Sequence, residues 1–152
     1  MSRPSWDAYF IALTNAVATR ATCDRKHVGA LIVQGRHIVA TGYNGSPPGL
    51  AHCDEVGHQL VVTDGRSNCV RTTHAELNAL LQAARYGVRV EGATLYVNTR
   101  PCWNCAKAII TAGVKRIVVD KPYDNDVIDG KALEITLAQA GVEIEYLVEG
   151  GE

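Results

Sequence analysis

From residue 74 onward the chain repeats one unit: a stretch with helical spacing, a glycine, then a short β-branched run. "HAELNALLQAAR" predicts a helix from about 74 to 86, ended by Gly87, and "ATLYVN" at 93–98 predicts a strand. "CWNCAKAIITA" is a helix stopped by Gly113, "KRIVVD" at 115–120 a strand, "KALEITLAQA" a helix stopped by Gly141, and "VEIEYLV" a last strand. Such alternation calls for an α/β sheet with helices on both faces. Ahead of it, residues 5–20 place Trp6, Tyr9, Phe10, Leu13, Ala16 and Val17 on one helical face. "VGALIV" at 28–33 and "HIVATGY" at 37–43 read as strands joined by a tight "QGR" turn, and "NGSPPGL" at 44–50 as a turn-rich loop. Residues 51–72 show no clear period and hold Cys53, His58 and Cys69, so they read as an irregular loop in need of a tie. With 152 residues, 47% apolar and 20% charged, and no repeat, linker or low-complexity tract, residues 1–152 are expected to form one domain.

Chemistry concentrates at the heads of two of these helices. Cys102 and Cys105 are three apart and share a helical face. Pro101 marks the helix start, so both thiols sit where the helix dipole lowers a thiol pKa. Alone, the pair reads equally as a metal site, a redox pair or two buried cysteines. His74 and Glu76, two apart, would point to opposite sides in mid-helix. They reach one site only if the helix head faces it, and Thr72 and Thr73 are good caps for such a start. Each also has a plain reading: Glu76 closes a capping box from Thr73, and His74 is a half-buried histidine. Together they serve one purpose. His74, Cys102 and Cys105 offer three zinc ligands and leave the fourth position open. Zinc lowers the pKa of bound water from 15.7 toward about 7, and Glu76 stands beside that water as a proton carrier. The pattern H-x-E…P-C-x-x-C is the signature of zinc-dependent nucleobase deaminases.

The chain resembles the deoxycytidylate (dCMP) deaminases over nearly its full length. The matching stretches are "SRPSWDAYF" at 2–10, "TCDRKHVGALIV" at 22–33, "TGYNGSPPG" at 41–49, "HCDEVGH" at 52–58, "CVRTTHAELNALLQAAR" at 69–85, "EGATLYVNTRPCWNCAKAI" at 91–109 and "YD" at 123–124. The resemblance implies a three-layer cytidine-deaminase-like fold with a central mixed five-stranded sheet. It implies hydrolysis of dCMP to dUMP and ammonia, supplying thymidylate synthesis. By analogy zinc-activated water attacks C4 of cytosine, while Glu76 protonates N3 and then the leaving amine. Ala75 and Asn44 would line the nucleotide, although Asn44 by itself reads as a turn asparagine. Arg85 would reach the phosphate, or else lie in solvent near a helix end. Tyr123 would line the pocket. Arg100 stands where the family commonly has serine, so it would add a phosphate contact, alter nucleotide choice, or point into solvent.

Cys23, Cys53 and Cys69 remain. They read as small buried hydrophobes, or as a structural zinc site, which several relatives carry, completed by His58 with His52 and His27 as rivals. The resemblance further implies a hexamer activated by dCTP and inhibited by dTTP, each with magnesium (Mg2+), through the 22–28 and 42–49 stretches.

Other functions fit less well. A net charge of −1 gives no basis for nucleic-acid attraction, and 6% aromatic content gives few stacking platforms for a polynucleotide editor. "MSRPSWDAYF" has no apolar signal core and no run of 18 apolar residues exists, so a cytoplasmic chain outside the membrane is expected. An odd five cysteines argue against a disulfide framework. Two alternatives stand: a deaminase of another small ring, such as cytidine, dCTP or guanine, and a non-catalytic zinc protein. Glu76 opposes the second, because structural zinc needs no spare carboxylate.

Overall fold

The computed structural model describes residues 2–120 and 127–147. In chain order the elements are α1 (Trp6–Ala18), β1 (Gly29–Gln34), β2 (His37–Tyr43), α2 (Cys53–Val56), β3 (Leu60–Thr63) and β4 (Arg66–Cys69). There follow α3 (Ala75–Arg85), β5 (Thr94–Val97), α4 (Trp103–Ala112), β6 (Arg116–Val119), α5 (Val127–Gln139) and β7 (Glu143–Tyr146). Five strands form one mixed sheet in the order β2-β1-β5-β6-β7. β1 runs antiparallel to both β2 and β5, while β5, β6 and β7 are parallel. This is the expected cytidine-deaminase-like, three-layer α/β arrangement. Among the described residues no helix is long and apolar enough to cross a membrane.

Strand alternation sorts the core into two clusters. Ala30, Ile32, Leu95, Val97, Ile117 and Val119 face α3, α4 and α5, meeting Ala79, Ala83, Ile109, Leu133 and Leu137. Leu31, Val33, Tyr96 and Val118 face α1, meeting Phe10 and Ile11. The central strands are covered on both sides, which is why their sequences are continuous apolar runs.

Two expectations need correction. The buried face of α1 is Phe10, Ile11, Thr14 and Ala18, whereas Trp6 and Tyr9 are exposed. The reason is close packing on β1: a Cβ at Gly29 would lie 2.3 Å from the Thr14 carbonyl oxygen, so the turn with Thr14 and Ala18 sits against the strand at its nearest approach. Residues 51–72 are not irregular throughout. They contain the single turn α2 and the hairpin β3–β4, whose connection Asp64–Gly65 has positive φ at both positions. Strand β3 is exposed along its length, so no alternation marked it.

Candidate active site

The heads of α3 and α4 meet beside one cavity of about 360 Å³. His74 is the N-cap of α3, with extended backbone and no side-chain cap bond, so its imidazole is left for other work. The Thr73 capping box therefore does not form. Cys102 is the N-cap of α4, one position earlier than a first-turn thiol, and Cys105 lies in the first turn. His74 Nδ1 stands 3.4 Å from Cys102 Sγ and 3.5 Å from Cys105 Sγ. All three donor atoms fall within 4.8 Å of one another.

Several bonds hold the head of α3. Gly45 and Thr73 exchange backbone hydrogen bonds of 3.2 and 2.9 Å. The Asn78 side chain donates to the carbonyls of Tyr43, at 2.8 Å, and Thr73, at 3.2 Å. Gly42 lets β2 approach, since a Cβ there would meet the Ala79 backbone nitrogen at 2.5 Å.

Glu76 is 3% exposed and lines the same cavity. Burial raises its pKa. Cys102 is pulled down to about 3, first by a hydrogen bond from the Cys105 thiol and then by His74. Cys105 is pushed up by the same pairing, and His74 is raised by Cys102. One imidazole and two thiols so disposed fit zinc, which takes nitrogen and thiolate sulfur and leaves a catalytic position open.

The remaining candidates separate. Ala75, Asn44 and Arg100 line the cavity. Asn44 is not the left-handed turn residue its type suggested; its side chain bridges the entry to β1, donating to the Lys26 carbonyl at 2.6 Å and accepting from Val28 N–H at 2.8 Å. Arg85 lines a different cavity, with Thr41, Ser46, Leu81 and Tyr86. Ten residue steps along α3 rise about 15 Å, which carries Arg85 away from the helix head. Tyr123 lies outside the described residues. The sequence reading missed Arg25 and Lys26, which line the cavity, and Asn98, which donates to the His27 carbonyl at 2.9 Å and accepts from Gly29 N–H at 3.0 Å. The basic "DRK" before β1 was the available signal for the cations.

A second cluster forms at the rim. Cys23, Cys53, His58 and Cys69 bring their donor atoms within 4.8 Å of one another. Cys53 and Cys69 are 3.5 Å apart, and Cys23 Sγ is 3.4 Å from His58 Nδ1. His58 Nε2 meets Asp24 Oδ1 at 2.8 Å, an outer carboxylate that fixes which ring nitrogen faces the sulfurs. Burial pushes Cys53 up to about 12. Burial also acts to raise Cys69, but backbone N–H donors and Cys53 outweigh it and bring it down to about 6. His52 is engaged elsewhere, with Thr22 Oγ1 at 2.8 Å and Ser46 N–H at 3.2 Å.

Residues 4–121 match the family described as the cytidine and deoxycytidylate deaminase zinc-binding region. The chain is 43% identical over 129 residues to the deoxycytidylate deaminase of Mycobacterium phage D29, covering 80% of this chain and 98% of that one. It is 42% identical over 147 residues to ComE operon protein 2 of Bacillus subtilis, covering 97% of this chain and 74% of that one. Among solved structures, the dCMP deaminase of cyanophage S-TIM5, in complex with dCMP and dUMP, superposes with a TM-score of 0.76 at 30% identity, covering 97% of this chain and all of the other. The His74, Cys102 and Cys105 donors beside a buried Glu76 thus sit in the expected sheet frame, and the chain belongs to the cytidine and deoxycytidylate deaminase family.

Proposed function

We propose that this chain is a zinc-dependent enzyme that hydrolyses dCMP to dUMP and ammonia, supplying dUMP for thymidylate synthesis. The observation that carries the reading is the buried carboxyl of Glu76 on the cavity wall shared with His74 and Cys102. A purely structural metal site has no use for it. Zinc held by His74, Cys102 and Cys105 would supply Lewis acidity that makes water nucleophilic near neutral pH. Glu76 accepts a proton from the attacking water and delivers it to N3 of cytosine. It then carries a second proton to the amine at C4. The C4–N bond breaks, water's oxygen stays on the ring, and ammonia leaves. The raised pKa of Glu76 suits a group that must both accept and release protons. Ala75 and Asn44 shape the wall, Asn44 by fixing residues 26–28.

For the phosphate we assign Arg25 and Lys26, cations on this cavity, in place of Arg85. Cys23, Cys53, Cys69 and His58 are assigned a second, structural zinc that ties the 51–72 segment. Hexamer assembly, and activation by dCTP or inhibition by dTTP with magnesium, belong to the same reading.

Parallel assays of ammonia release from dCMP, CMP, deoxycytidine and dCTP, with and without dCTP or dTTP as effector, test it. Turnover confined mainly to dCMP supports the assignment. Turnover of another substrate keeps the chemistry and moves the specificity, and silence on all four with zinc bound overturns it.

A further inference from the structure

Arg100 lines the active-site cavity, and its guanidinium packs against α5. A Cβ built at Gly130 of α5 would lie 2.0 Å from Arg100 Nη1 and 2.8 Å from Cζ, so the guanidinium occupies the space over that glycine. Glycine inside a helix is less stable than alanine, and contact with the guanidinium explains why the position lacks a side chain. The same guanidinium acts on the Tyr146 hydroxyl of β7 as a hydrogen-bond donor. Tyr146 in turn donates to Glu134 Oε1 of α5 at 2.7 Å. Residues 98–102 are therefore held at two points. Asn98 bonds the backbone at 27 and 29, and Arg100 grips α5 and β7.

We propose that Arg100 is a positioning residue: its guanidinium clamps the 98–102 segment to Gly130 and Tyr146 and so places Cys102 and Cys105 beside His74. In this role it does not read the substrate phosphate. The clamp couples the end of the sheet to the metal-binding thiols, and a lysine cannot replace it, because an ammonium lacks the planar fork of donors that can meet two partners at once.

The inference rests on the deaminase reading, and its test separates the two. Arg100→Ala, Arg100→Lys, Tyr146→Phe, Gly130→Ala and the double variant Arg100→Ala/Gly130→Ala are compared with the parent chain. Three readouts are taken: thermal midpoint without metal, rate of zinc loss to a chelator, and KM and kcat for dCMP. Arg100→Ala and Gly130→Ala should each lower kcat, toward the roughly 100-fold that a misplacement near 1 Å brings, and leave KM unchanged. Both should lose zinc severalfold faster. In the Arg100→Ala background, Gly130→Ala should cost no midpoint, because the group it collides with is gone. Arg100→Lys should resemble Arg100→Ala. Tyr146→Phe, which removes the acceptor for Arg100 together with the donor to Glu134, should shift zinc loss in the same direction and gives the answer if Arg100→Ala does not fold. A raised KM with unchanged kcat, restored by lysine, would overturn the clamp in favour of a phosphate contact. So would unchanged zinc loss, or a Gly130→Ala penalty equal in both backgrounds. A parent chain inactive on dCMP would sink the deaminase reading, while the midpoints and zinc loss would still decide the clamp.

Discussion

Gly42 of β2 lies so close to Ala75 that a Cβ on Gly42 would stand 2.2 Å from the Ala75 carbonyl oxygen. Ala75 separates His74 from Glu76, so this contact fixes the depth at which the metal donor and the proton carrier enter the cavity. Gly42→Ala must push the head of α3 off the sheet. Overpacking of this kind costs about 1–3 kcal/mol of stability. The larger effect is expected in kcat, read by ammonia release at a temperature where circular dichroism shows the variant folded.

Glu76→Gln keeps size and burial and removes the proton carrier. Zinc content by atomic emission should be unchanged, while kcat falls by about 10²–10⁴-fold, the usual worth of general acid–base catalysis. Zinc loss together with activity would mean that Glu76 is a structural partner of the donors.

Lys26→Ala tests the phosphate assignment. Loss of a charged hydrogen bond, about 1.5–3 kcal/mol, should raise KM for dCMP by roughly 10- to 150-fold. Whatever turnover of deoxycytidine exists should be unaffected, since that substrate has no phosphate. Arg85→Ala, in a separate cavity, should leave the KM for dCMP unchanged in the isolated subunit.

Away from the site, Asp7 fastens α1 to the sheet. Arg116 donates to both of its carboxylate oxygens, at 3.0 and 2.6 Å, and Tyr96 donates at 2.7 Å. The Arg116 hydrogen bond, opposed by burial and helped by Tyr96, holds the Asp7 carboxyl below its usual range. A carboxylate with a depressed folded-state pKa contributes stability above its unfolded value, about 3.9, and loses it as pH falls through the folded value. Asp7→Asn should therefore be less stable than the parent in urea at neutral pH. The difference should shrink as the pH is taken below the ordinary carboxylate value.

Cys69→Ser should lower zinc from two ions per chain to one and speed amide exchange across Leu60–Cys69. That hairpin is exposed, so the metal tie rather than a core orders it. Retention of two ions would contradict the second site.

His74, Glu76, Cys102 and Cys105 are legible in the sequence because two helix starts can be read from caps, proline and periodicity. That residue set also has few uses other than zinc hydrolysis. β1, β5 and β6 are legible because buried strands leave apolar runs, and the half-exposed edge strands β2 and β7 because a tight turn and the helix-ending Gly141 precede them. The β3–β4 hairpin is not, since solvent on both faces erases alternation; only its Asp64–Gly65 turn carried a signal. Arg85 lines a separate cavity because sequence distance along a helix is also distance in space. Lys26 and Asn98 escaped because their partners lie in segments that only the sheet brings together. Arg100 was visible as a departure from its family, but what it grips, Gly130 and Tyr146, depends on how α5 packs.

The most direct measurement is ammonia release from dCMP by the zinc-loaded chain, beside Glu76→Gln carrying the same zinc. Turnover by the parent, preference for dCMP over deoxycytidine, and near-silence from the variant are expected. Equal rates from the two proteins, or no release from dCMP by a zinc-replete parent, would contradict the deaminase reading.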